Sequence, residues 1–464
     1  MSRLGRIITT ACVMFLASAR APAAQTEGEP LKAADRAKQV EAIVQPLVDA
    51  DAIVGCVVGI VDHGRTEIYS FGETKRGSGE RPDGDTLYEI GSITKAFTGI
   101  LLADMINRGL LRLDAPVQDF LPKGTTLGIA DGKPITLLNL ATHTAGLPPL
   151  PTNMSPKVTA NPYADYTSTM MYRFLDGYTP LSQGIYAYSN FGMGLLGQII
   201  ANKSGKNYET FVIERICGPL GMSDTRIRLA EAQRERLAPP YDAELKPSVN
   251  WDYDALAPCG AIRSSANDLL KLLAAGMADD DRPVVKAIHE AWKKHHDMPN
   301  GIGVGLAWHV ARDGVSWWHN GQTAGYGSAV FAVPVKQLGV VVLMNTGTDI
   351  TLAVAERIVQ SAIGMSPKPL LVRKAINVSP EELKQYEGIY AFSLFAAITV
   401  TLEDGKLLAQ LPGQDKFQLF AESEAKFFYK VVDAQITFAR AADGKAYKLI
   451  LHQNGIDQTA LRIK

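Results

Sequence analysis

The chain has 464 residues and a net charge of −1, with 46% hydrophobic and 20% charged residues. This length allows a large core and more than one domain, and the composition is that of a soluble globular protein. Without a basic excess the chain is not expected to bind nucleic acid. Beyond the N-terminal region, Cys56, Cys217 and Cys259 allow at most one disulfide, so we expect them to fill core positions rather than build a disulfide framework.

The first 24 residues are typical of a secretory signal. Arg3 and Arg6 precede an apolar run over residues 7–17, and Ala21-Pro-Ala-Ala24 is a small-residue cleavage site. We therefore predict a signal peptide over 1–24 and a periplasmic mature protein without stable membrane insertion. A short N-terminal membrane anchor is the alternative, although the apolar run is short for a membrane span.

The next segments indicate a helix, a hairpin and a second helix. Residues 32–51 have the pattern of an amphipathic helix. Two strand-like stretches, 55–61 and 67–72, flank a turn at Asp62-His-Gly64 and predict a hairpin. The helix that follows Ser92 is expected to stop at Asn107-Arg-Gly109, because glycine is a good helix terminator.

The rest of the chain predicts an α+β fold in a domain spanning 33–364. Residues 117–222 indicate helices and loops, and strands return at 328–333 and 338–344. Strands at both ends with helices between them indicate an antiparallel sheet with flanking helices and a helical insertion. A linker is expected over 365–381.

The tail, residues 382–464, is rich in strands. Asp404-Gly405, Asp443-Gly444 and Asn454-Gly455 are strong hairpin signals between them. This pattern predicts a small C-terminal antiparallel β domain, a β-barrel or a sandwich.

Ser92-Ile-Thr-Lys95 follows a glycine and opens an apolar helix. Helical positions three apart share a face, so the Ser92 hydroxyl and the Lys95 amine are expected to meet. An amine can take the proton of a nucleophilic hydroxyl if its surroundings lower its pKa. The alternative is that Ser92 caps the helix and Lys95 is solvated.

The spacing Ser-x-x-Lys by itself is weak evidence. A chain of this length is expected to contain about one or two such tetrapeptides by chance. A second one, Ser423-Glu-Ala-Lys426, lies in the strand-rich tail without a glycine turn or an apolar helix. We interpret it as coincidental.

Tyr188-Ser-Asn190 leads into another helix and suggests a second part of a site. An asparagine side chain can bind a substrate amide, and a phenol near cations can carry a proton. The alternative is a packed aromatic residue followed by a helix cap at Asn190.

His319-Asn-Gly321-Gln322 lies at the start of the C-terminal strands of the domain. Gly321 would allow the backbone to approach a substrate closely, and the Gln322 N–H could be an oxyanion donor beside that of Ser92. His319 would supply a hydrogen-bond donor or a positive charge. The alternative is a structural histidine.

In this order and at these intervals the three stretches resemble the motifs of class C β-lactamase-related serine hydrolases. That family includes class C β-lactamases, D-alanyl-D-alanine carboxypeptidases and other penicillin-binding proteins, D-aminopeptidases and some esterases. Framing segments also match, at Thr142-His143-Thr-Ala-Gly146-Leu-Pro148, 219–223 and 260–270. The resemblance covers residues 40–363, and the tail resembles the lipocalin-like C-terminal domain of some members.

The resemblance implies a β-lactamase/transpeptidase-like fold and a mechanism without metal or cofactor. Ser92 would attack an amide carbonyl, while Lys95 and Tyr188 would manage its proton. For Tyr188 to act as a base its pKa must fall, which Lys95 and a protonated His319 would favour. The N–H groups of Ser92 and Gln322 would hold the oxyanion.

The same resemblance makes Asn190, His319, Gly321 and Gln322 the substrate-binding positions. β-Lactams, D-alanyl peptides and small esters are the candidate substrates, and β-lactam hydrolysis is favoured. Histidine in the third motif is more typical of the peptidase-like members than of dedicated β-lactamases. Lys203-Ser-Gly205 spells the usual lactamase form of that motif but follows Asn190 too closely to be it.

Three other functions compete with this hypothesis. A metal hydrolase would use the histidines between His289 and His296, which lack the His-Glu-x-x-His spacing. A histidine-based serine hydrolase would need a Gly-x-Ser-x-Gly elbow, which the chain does not contain. An exported sensor that is acylated without turnover would keep the same motifs. The sequence does not indicate an oligomeric state or a role for the tail.

Overall fold

The computed structural model describes residues 33–464 except 130–131, 371, 374, 394–395, 412–415, 431–433 and 454–455. The predicted signal peptide and the Asn454-Gly455 turn lie outside the described residues. The chain forms two compact units that meet in the sequence at Leu370. The N-terminal unit includes residues 53–370, and the C-terminal unit includes residues 371–464. In the described part of the chain, no helix combines the length and apolar character needed to cross a membrane.

The N-terminal unit is built on an eight-stranded antiparallel sheet in the order β2-β1-β10-β9-β8-β7-β6-β5, beside a two-stranded sheet of β3 and β4. The strands are β1 (Gly55–Asp62), β2 (Arg65–Gly72), β3 (Leu87–Glu89), β4 (Arg263–Ser265), β5 (His296–Asp297), β6 (Gly303–Val304), β7 (His309–Val310), β8 (Trp317–Gln322), β9 (Gly327–Val333) and β10 (Leu338–Met344). Since β1 pairs with β10, both ends of the unit share one sheet, as predicted.

The hairpin predicted between β1 and β2 is confirmed. Asp62 pairs with Arg65 across a two-residue turn. His63 and Gly64 have φ values of +48° and +77°, the left-handed conformation that two-residue hairpin turns require.

Helices occupy the middle of the N-terminal unit and the two sides of the sheet. They are α1 (Ala33–Asp49), α2 (Thr94–Asn107), α3 (Leu137–Ala141), α4 (Ser168–Leu175), α5 (Asn190–Ser204), α6 (Tyr208–Val212), α7 (Gly218–Leu220), α8 (Glu231–Arg234), α9 (Ala257–Gly260), α10 (Ala266–Met277), α11 (Pro283–Trp292) and α12 (Ile350–Ala362). The expected end of α2 is confirmed, with Gly109 in a left-handed conformation just beyond it.

The sheet is buried on both faces. Val57 of β1 and Val341 of β10 belong to the core cluster that contains α2 and α10. Their neighbours Val58 and Val342, which point to the opposite face because side chains alternate along a strand, are also fully buried. α12 packs on β9 and β10. The predicted α+β architecture with a helical insertion is therefore confirmed.

α2 is buried on every side over residues 94–105. A helix without a polar face is stable only inside a protein core. Gly99 makes the tightest approach, since a Cβ there would lie 1.9 Å from the carbonyl oxygen of Leu306. α2 is thus a rigid central element on which groups at its N-terminus are held.

The C-terminal unit is a closed antiparallel barrel whose strands follow chain order, with the last strand paired to the first. Its elements are α13 (Pro380–Leu383), β11 (Gly388–Ser393), β12 (Ala396–Glu403), β13 (Lys406–Gln410), β14 (Phe417–Ala421), β15 (Lys426–Phe428), β16 (Ala434–Arg440), β17 (Ala446–Gln453) and β18 (Ile456–Arg462). Tyr386, Phe427 and Phe438 pack together in its interior. The predicted barrel and the Asp404-Gly405 turn between β12 and β13 are confirmed.

Cys56, Cys217 and Cys259 are buried free thiols. Cys217 and Cys259 belong to the same core cluster as α2. They fill core positions, as the sequence predicted.

Candidate active site

Ser92 lies in a 3-10 turn, Gly91–Ile93, that leads directly into α2. Gly91 has a φ of +47°, and a Cβ on it would lie 2.8 Å from the backbone nitrogen of Gln322. Only glycine fits both the conformation and the space. The turn therefore brings the backbone next to Ser92 against the end of β8.

Lys95 lies one turn after Ser92 and has no exposed surface. Its Nζ donates hydrogen bonds to Ser92 Oγ at 2.8 Å and to the Cys259 carbonyl oxygen at 2.7 Å. No side chain caps the 3-10 turn or α2. The alternative of a helix-capping serine beside a solvated lysine is therefore wrong.

The second Ser-x-x-Lys has different surroundings. Ser423 lies in the turn before β15, where its N–H donates to the Lys426 carbonyl oxygen at 3.1 Å. The Lys426 amine pairs with the Glu422 carboxylate at 3.2 Å, and its side chain is 41% exposed. This tetrapeptide holds a turn together, in agreement with its interpretation as coincidental.

Tyr188 lies beside the Ser92–Lys95 pair. The Lys95 Nζ is 4.9 Å from the centroid of the Tyr188 ring. Ser189, rather than Asn190, is the N-cap of α5, because its Oγ accepts a hydrogen bond from the Gly192 N–H at 2.8 Å. Asn190 is the half-buried first residue of that helix, so the capping alternative for Asn190 is wrong.

Lys203-Ser-Gly205 forms the end of α5, with Gly205 as its left-handed C-cap. This agrees with its rejection as the third stretch of the site.

The backbone of β8 lies in direct contact with the backbone around Ser92. A Cβ on Gly321 would lie 2.0 Å from the Ile90 carbonyl oxygen and 2.8 Å from the Ser92 nitrogen. Ser328 on β9 donates its hydroxyl to the same Ile90 carbonyl at 2.8 Å. The backbone amides of residues 92 and 322 are thus brought to neighbouring positions by two glycines.

Replacing Gly321 with alanine is expected to impair both folding stability and the site. The added methyl collides with backbone atoms, which cannot yield as a flexible side chain can, so we expect a loss of about 1–3 kcal/mol in the free energy of unfolding. We also expect labelling by a fluorescent penicillin to slow at least about 100-fold, because donors to a reacting oxygen are displaced.

Gly314→Ala is the control for that variant, since a Cβ there meets no atom within 4 Å. Its left-handed φ of +73° costs some stability but does not involve Ser92. Equal labelling rates of the two variants, measured on folded protein, would contradict the assignment of Gly321 to the site.

His319 lies on β8 with a ring that is 1% exposed. Its Nδ1 is 2.6 Å from the Asn320 carbonyl oxygen, which can only accept, so the ring proton is on Nδ1. Burial lowers the pKa of His319 well below its ordinary value, and His309 and Lys95 lower it further. Burial therefore favours the neutral ring over the positive charge that the sequence also allowed at His319.

Two histidines that sequence reasoning did not assign to the site complete this region. His143 stacks on Tyr188 with ring centroids 4.5 Å apart, and His309 stacks on Trp318 at 4.3 Å. His309 Nε2 also hydrogen-bonds the Tyr186 hydroxyl at 3.2 Å. His143 stood in a segment that matched the family resemblance, but nothing in the sequence indicated these stacks.

Burial, together with the charge of Lys95, lowers the pKa of His309 to about 4. An unfolded chain has a histidine pKa near 6.5. Between these pH values the unfolded chain takes up a proton that the folded chain does not. We therefore expect the free energy of unfolding to fall by on the order of 3 kcal/mol from pH 6.5 to 4 because of this group, and to level off below.

Urea unfolding followed by tryptophan fluorescence measures this effect, because all five tryptophans lie between residues 251 and 318, in the N-terminal unit. His309→Asn should have a shallower dependence on pH than the wild type. Leu47→Ala, which removes a buried side chain but no titratable group, should keep the dependence on pH of the wild type. Identical pH dependence of the wild type and His309→Asn would contradict the expectation.

The histidines near the end of α11 do not gather into a cluster. His289 Nε2 hydrogen-bonds the Gly276 carbonyl oxygen, and His296 lies on β5. In the described part of the chain, no three His, Cys, Asp or Glu side chains come close enough to hold a metal ion.

The site contains a serine hydroxyl hydrogen-bonded to a buried amine, a phenol beside that amine, and two backbone amides near the serine. These are the groups that a serine acyl-transfer reaction requires. The chain belongs to the Beta-lactamase family, whose model matches residues 40–363. Residues 372–463 match a domain of unknown function, DUF3471.

Relatives and solved structures agree with this family. A β-lactamase of Pseudomonas fluorescens is 28% identical over 68% of this chain and 94% of its own length. The D-alanyl-D-alanine-carboxypeptidase/endopeptidase AmpH of Escherichia coli K12 is 31% identical over 58% of this chain and 68% of its own. The crystal structure of a class C β-lactamase from Rhodobacter sphaeroides superposes with a TM-score of 0.60 and 25% identity, covering 71% of this chain and 98% of its own.

Proposed function

We propose that the protein is an exported serine β-lactamase that works through an acyl-enzyme on Ser92. The observation that carries the proposal is the 2.8 Å hydrogen bond between Ser92 Oγ and the fully buried Lys95 amine. Ser92 Oγ attacks the lactam carbonyl carbon, the C–N bond of the ring breaks, and the ring nitrogen receives the proton that the serine gives up. Water then releases the acyl group from Ser92.

Lys95 and Tyr188 are the proposed carriers of that proton. The amine donates a hydrogen bond to the nucleophile at 2.8 Å and lies 4.9 Å from the centre of the phenol ring, so the serine, the amine and the phenol are neighbours. Positive charge beside a phenol favours its ionised form, which is the form that can act as a base.

The N–H groups of Ser92 and Gln322 are the proposed oxyanion donors, with Gly321 providing the close approach. Asn190 is proposed to bind the amide side chain of the substrate from the first turn of α5. Because burial disfavours the charged form of the His319 ring, we propose that it orients the substrate by supporting β8 rather than as a cation.

The second candidate is a D-stereospecific peptidase acting on D-alanyl peptides, with small esters as a further substrate class. By the family resemblance, a histidine in the third motif favours this candidate, as does the name of the Escherichia coli relative, a carboxypeptidase/endopeptidase. Both candidates share the acyl-enzyme and differ in pocket shape and in the rate of deacylation. A chain that is acylated but does not turn over would instead be a penicillin-binding sensor.

The test compares a chromogenic cephalosporin with a D-Ala-D-Ala peptide, each with the wild type and with Ser92→Ala. Faster turnover of the cephalosporin supports the β-lactamase, and faster release of D-alanine supports the peptidase. A stable acyl-enzyme without release would indicate the sensor. Turnover that survives Ser92→Ala would overturn the whole proposal.

The domain boundaries and location are also proposals. We propose a signal peptide over 1–24, a hydrolase domain over 33–364, a linker over 365–381 and a lipocalin-like barrel over 382–464. Export into the periplasm fits substrates of the cell wall or antibiotics that act there. Cell fractionation of the full-length chain, with N-terminal sequencing of the mature protein, tests both the cleavage site and the location.

A further inference from the structure

The segment that begins at His143 runs beside the chain that leads into α5. Three backbone hydrogen bonds join the two segments: Gly184 N–H to Thr144 O at 2.8 Å, Leu181 N–H to Gly146 O at 3.1 Å, and Phe191 N–H to Pro149 O at 3.2 Å. The loop that carries Tyr188 therefore lies against the segment that begins at His143, and backbone hydrogen bonds hold the two together.

His143 contacts the Tyr188 region in three ways. Its carbonyl oxygen accepts from the Ala187 N–H at 2.8 Å, and its Nδ1 accepts from the Ser189 N–H at 3.1 Å. Its ring stacks on the Tyr188 ring, with centroids 4.5 Å apart and planes 29° from parallel. One residue thus holds Tyr188 itself and the backbone on both sides of it.

This arrangement costs free energy. His143 is 2% exposed, and its Nε2 has no hydrogen-bond partner among the described residues. Its φ of +58° lies in the left-handed region, which few residues other than glycine adopt. A buried, strained and incompletely bonded polar side chain indicates a role other than filling space.

The bond from Ser189 also defines the state of the ring. Because Nδ1 accepts a hydrogen bond from the Ser189 N–H, the neutral ring must carry its own proton on Nε2. Burial lowers the pKa of His143, and the nearby Lys95 and His309 lower it further. The rings of Tyr186 and Tyr188 are its other polar neighbours.

We propose that His143 is a positioning residue that sets the orientation of the Tyr188 ring and the direction of Ser189-Asn190 for the reaction at Ser92. The proposal rests on the proposed function, because it assigns Tyr188 a part in that reaction. It adds to the site a residue outside the three sequence stretches that resemble the family motifs. In this proposal the orientation of the Tyr188 ring depends on its stacking against His143.

Two substitutions separate the contributions of His143. His143→Asn keeps an acceptor for the Ser189 N–H and suits a positive φ, but it removes the stacked ring. His143→Phe keeps a ring and removes the acceptor. Leu47→Ala, in α1 outside the core cluster around α2, is the control for a loss of stability without a change at Tyr188.

The experiment has two readouts, acylation by a fluorescent penicillin and the 19F resonance of a full-length chain with 3-fluorotyrosine at position 188. We expect His143→Asn to lower the acylation rate constant about 10- to 100-fold with little change in the concentration for half-saturation. We expect it to shift the fluorine resonance, because the neighbouring ring is gone. His143→Phe should keep a stacked resonance but lose reactivity through the displaced Ser189 amide.

A fluorine resonance in His143→Asn that matches the wild type and Leu47→Ala would overturn the proposal. So would an acylation rate no lower than that of Leu47→Ala. If the wild type itself is not acylated, the proposed function fails, and the fluorine comparison still decides whether His143 positions Tyr188.

Discussion

Ser92→Ala is expected to abolish covalent labelling by a fluorescent penicillin, with a loss of at least about 10⁴-fold in rate. Ser92 supplies the atom that forms the bond to the acyl group, so no neighbouring group replaces it. The substitution removes one half-buried hydroxyl and one hydrogen bond to Lys95, which should change the free energy of unfolding by about 1 kcal/mol at most. Labelling is measured on denaturing gels, and folding by the tryptophan fluorescence of the N-terminal unit.

Ser423→Ala is the matched control, because it alters the other Ser-x-x-Lys of the same chain. Ser423 lies in a turn of the barrel and its lysine pairs with Glu422, so wild-type labelling is expected. If Ser92→Ala is still labelled at the wild-type rate, the nucleophile lies elsewhere and the site is wrong.

Lys95→Met is expected to lower the rate of acylation about 10³-fold while leaving the protein as stable as the wild type or more so. Methionine fills a similar volume, and it removes an amine that has no contact with solvent. Burying a charged group costs free energy even when hydrogen bonds to Ser92 and Cys259 compensate part of it. Lys95→Arg should not restore the rate, since a guanidinium does not release its proton in this pH range.

The acylation step is measured by rapid mixing with a chromogenic cephalosporin, and Lys426→Met in the second tetrapeptide is the control. An independent readout comes from His309, whose pKa is lowered first by burial and then by Lys95. Removing a charged Lys95 should raise the pKa of His309, which an NMR titration detects. An unchanged acylation rate in Lys95→Met would exclude the amine from the proton transfer.

The local parts of the fold could be predicted because their causes are local. The turn at Asp62-His-Gly64 depends on residues that adopt positive φ, and the end of α2 depends on a glycine two residues later. The strands of the barrel alternate inward and outward side chains between Asp-Gly turns, so their pairing with neighbours in sequence followed from the pattern.

The site could be predicted only in part. The meeting of Ser92 and Lys95 followed from helical spacing, but the helix turned out to be entirely buried, which removed solvent from the amine. The alternative that made Asn190 the cap of α5 was one residue too late, because serine and asparagine are equally good N-caps and local sequence does not distinguish them.

The sequence by itself determined which residues can react: a serine and a lysine three positions apart, a tyrosine before a helix, and glycines where backbones must touch. Only the tertiary structure decided their state. The pKa of His319 is lowered because packing around β8 excluded water and placed His309 and Lys95 nearby. Tyr188 acquired a stacked partner in His143, 45 residues earlier in the chain. Burial and neighbouring charge are properties of the assembled core, so no short stretch of sequence contains them.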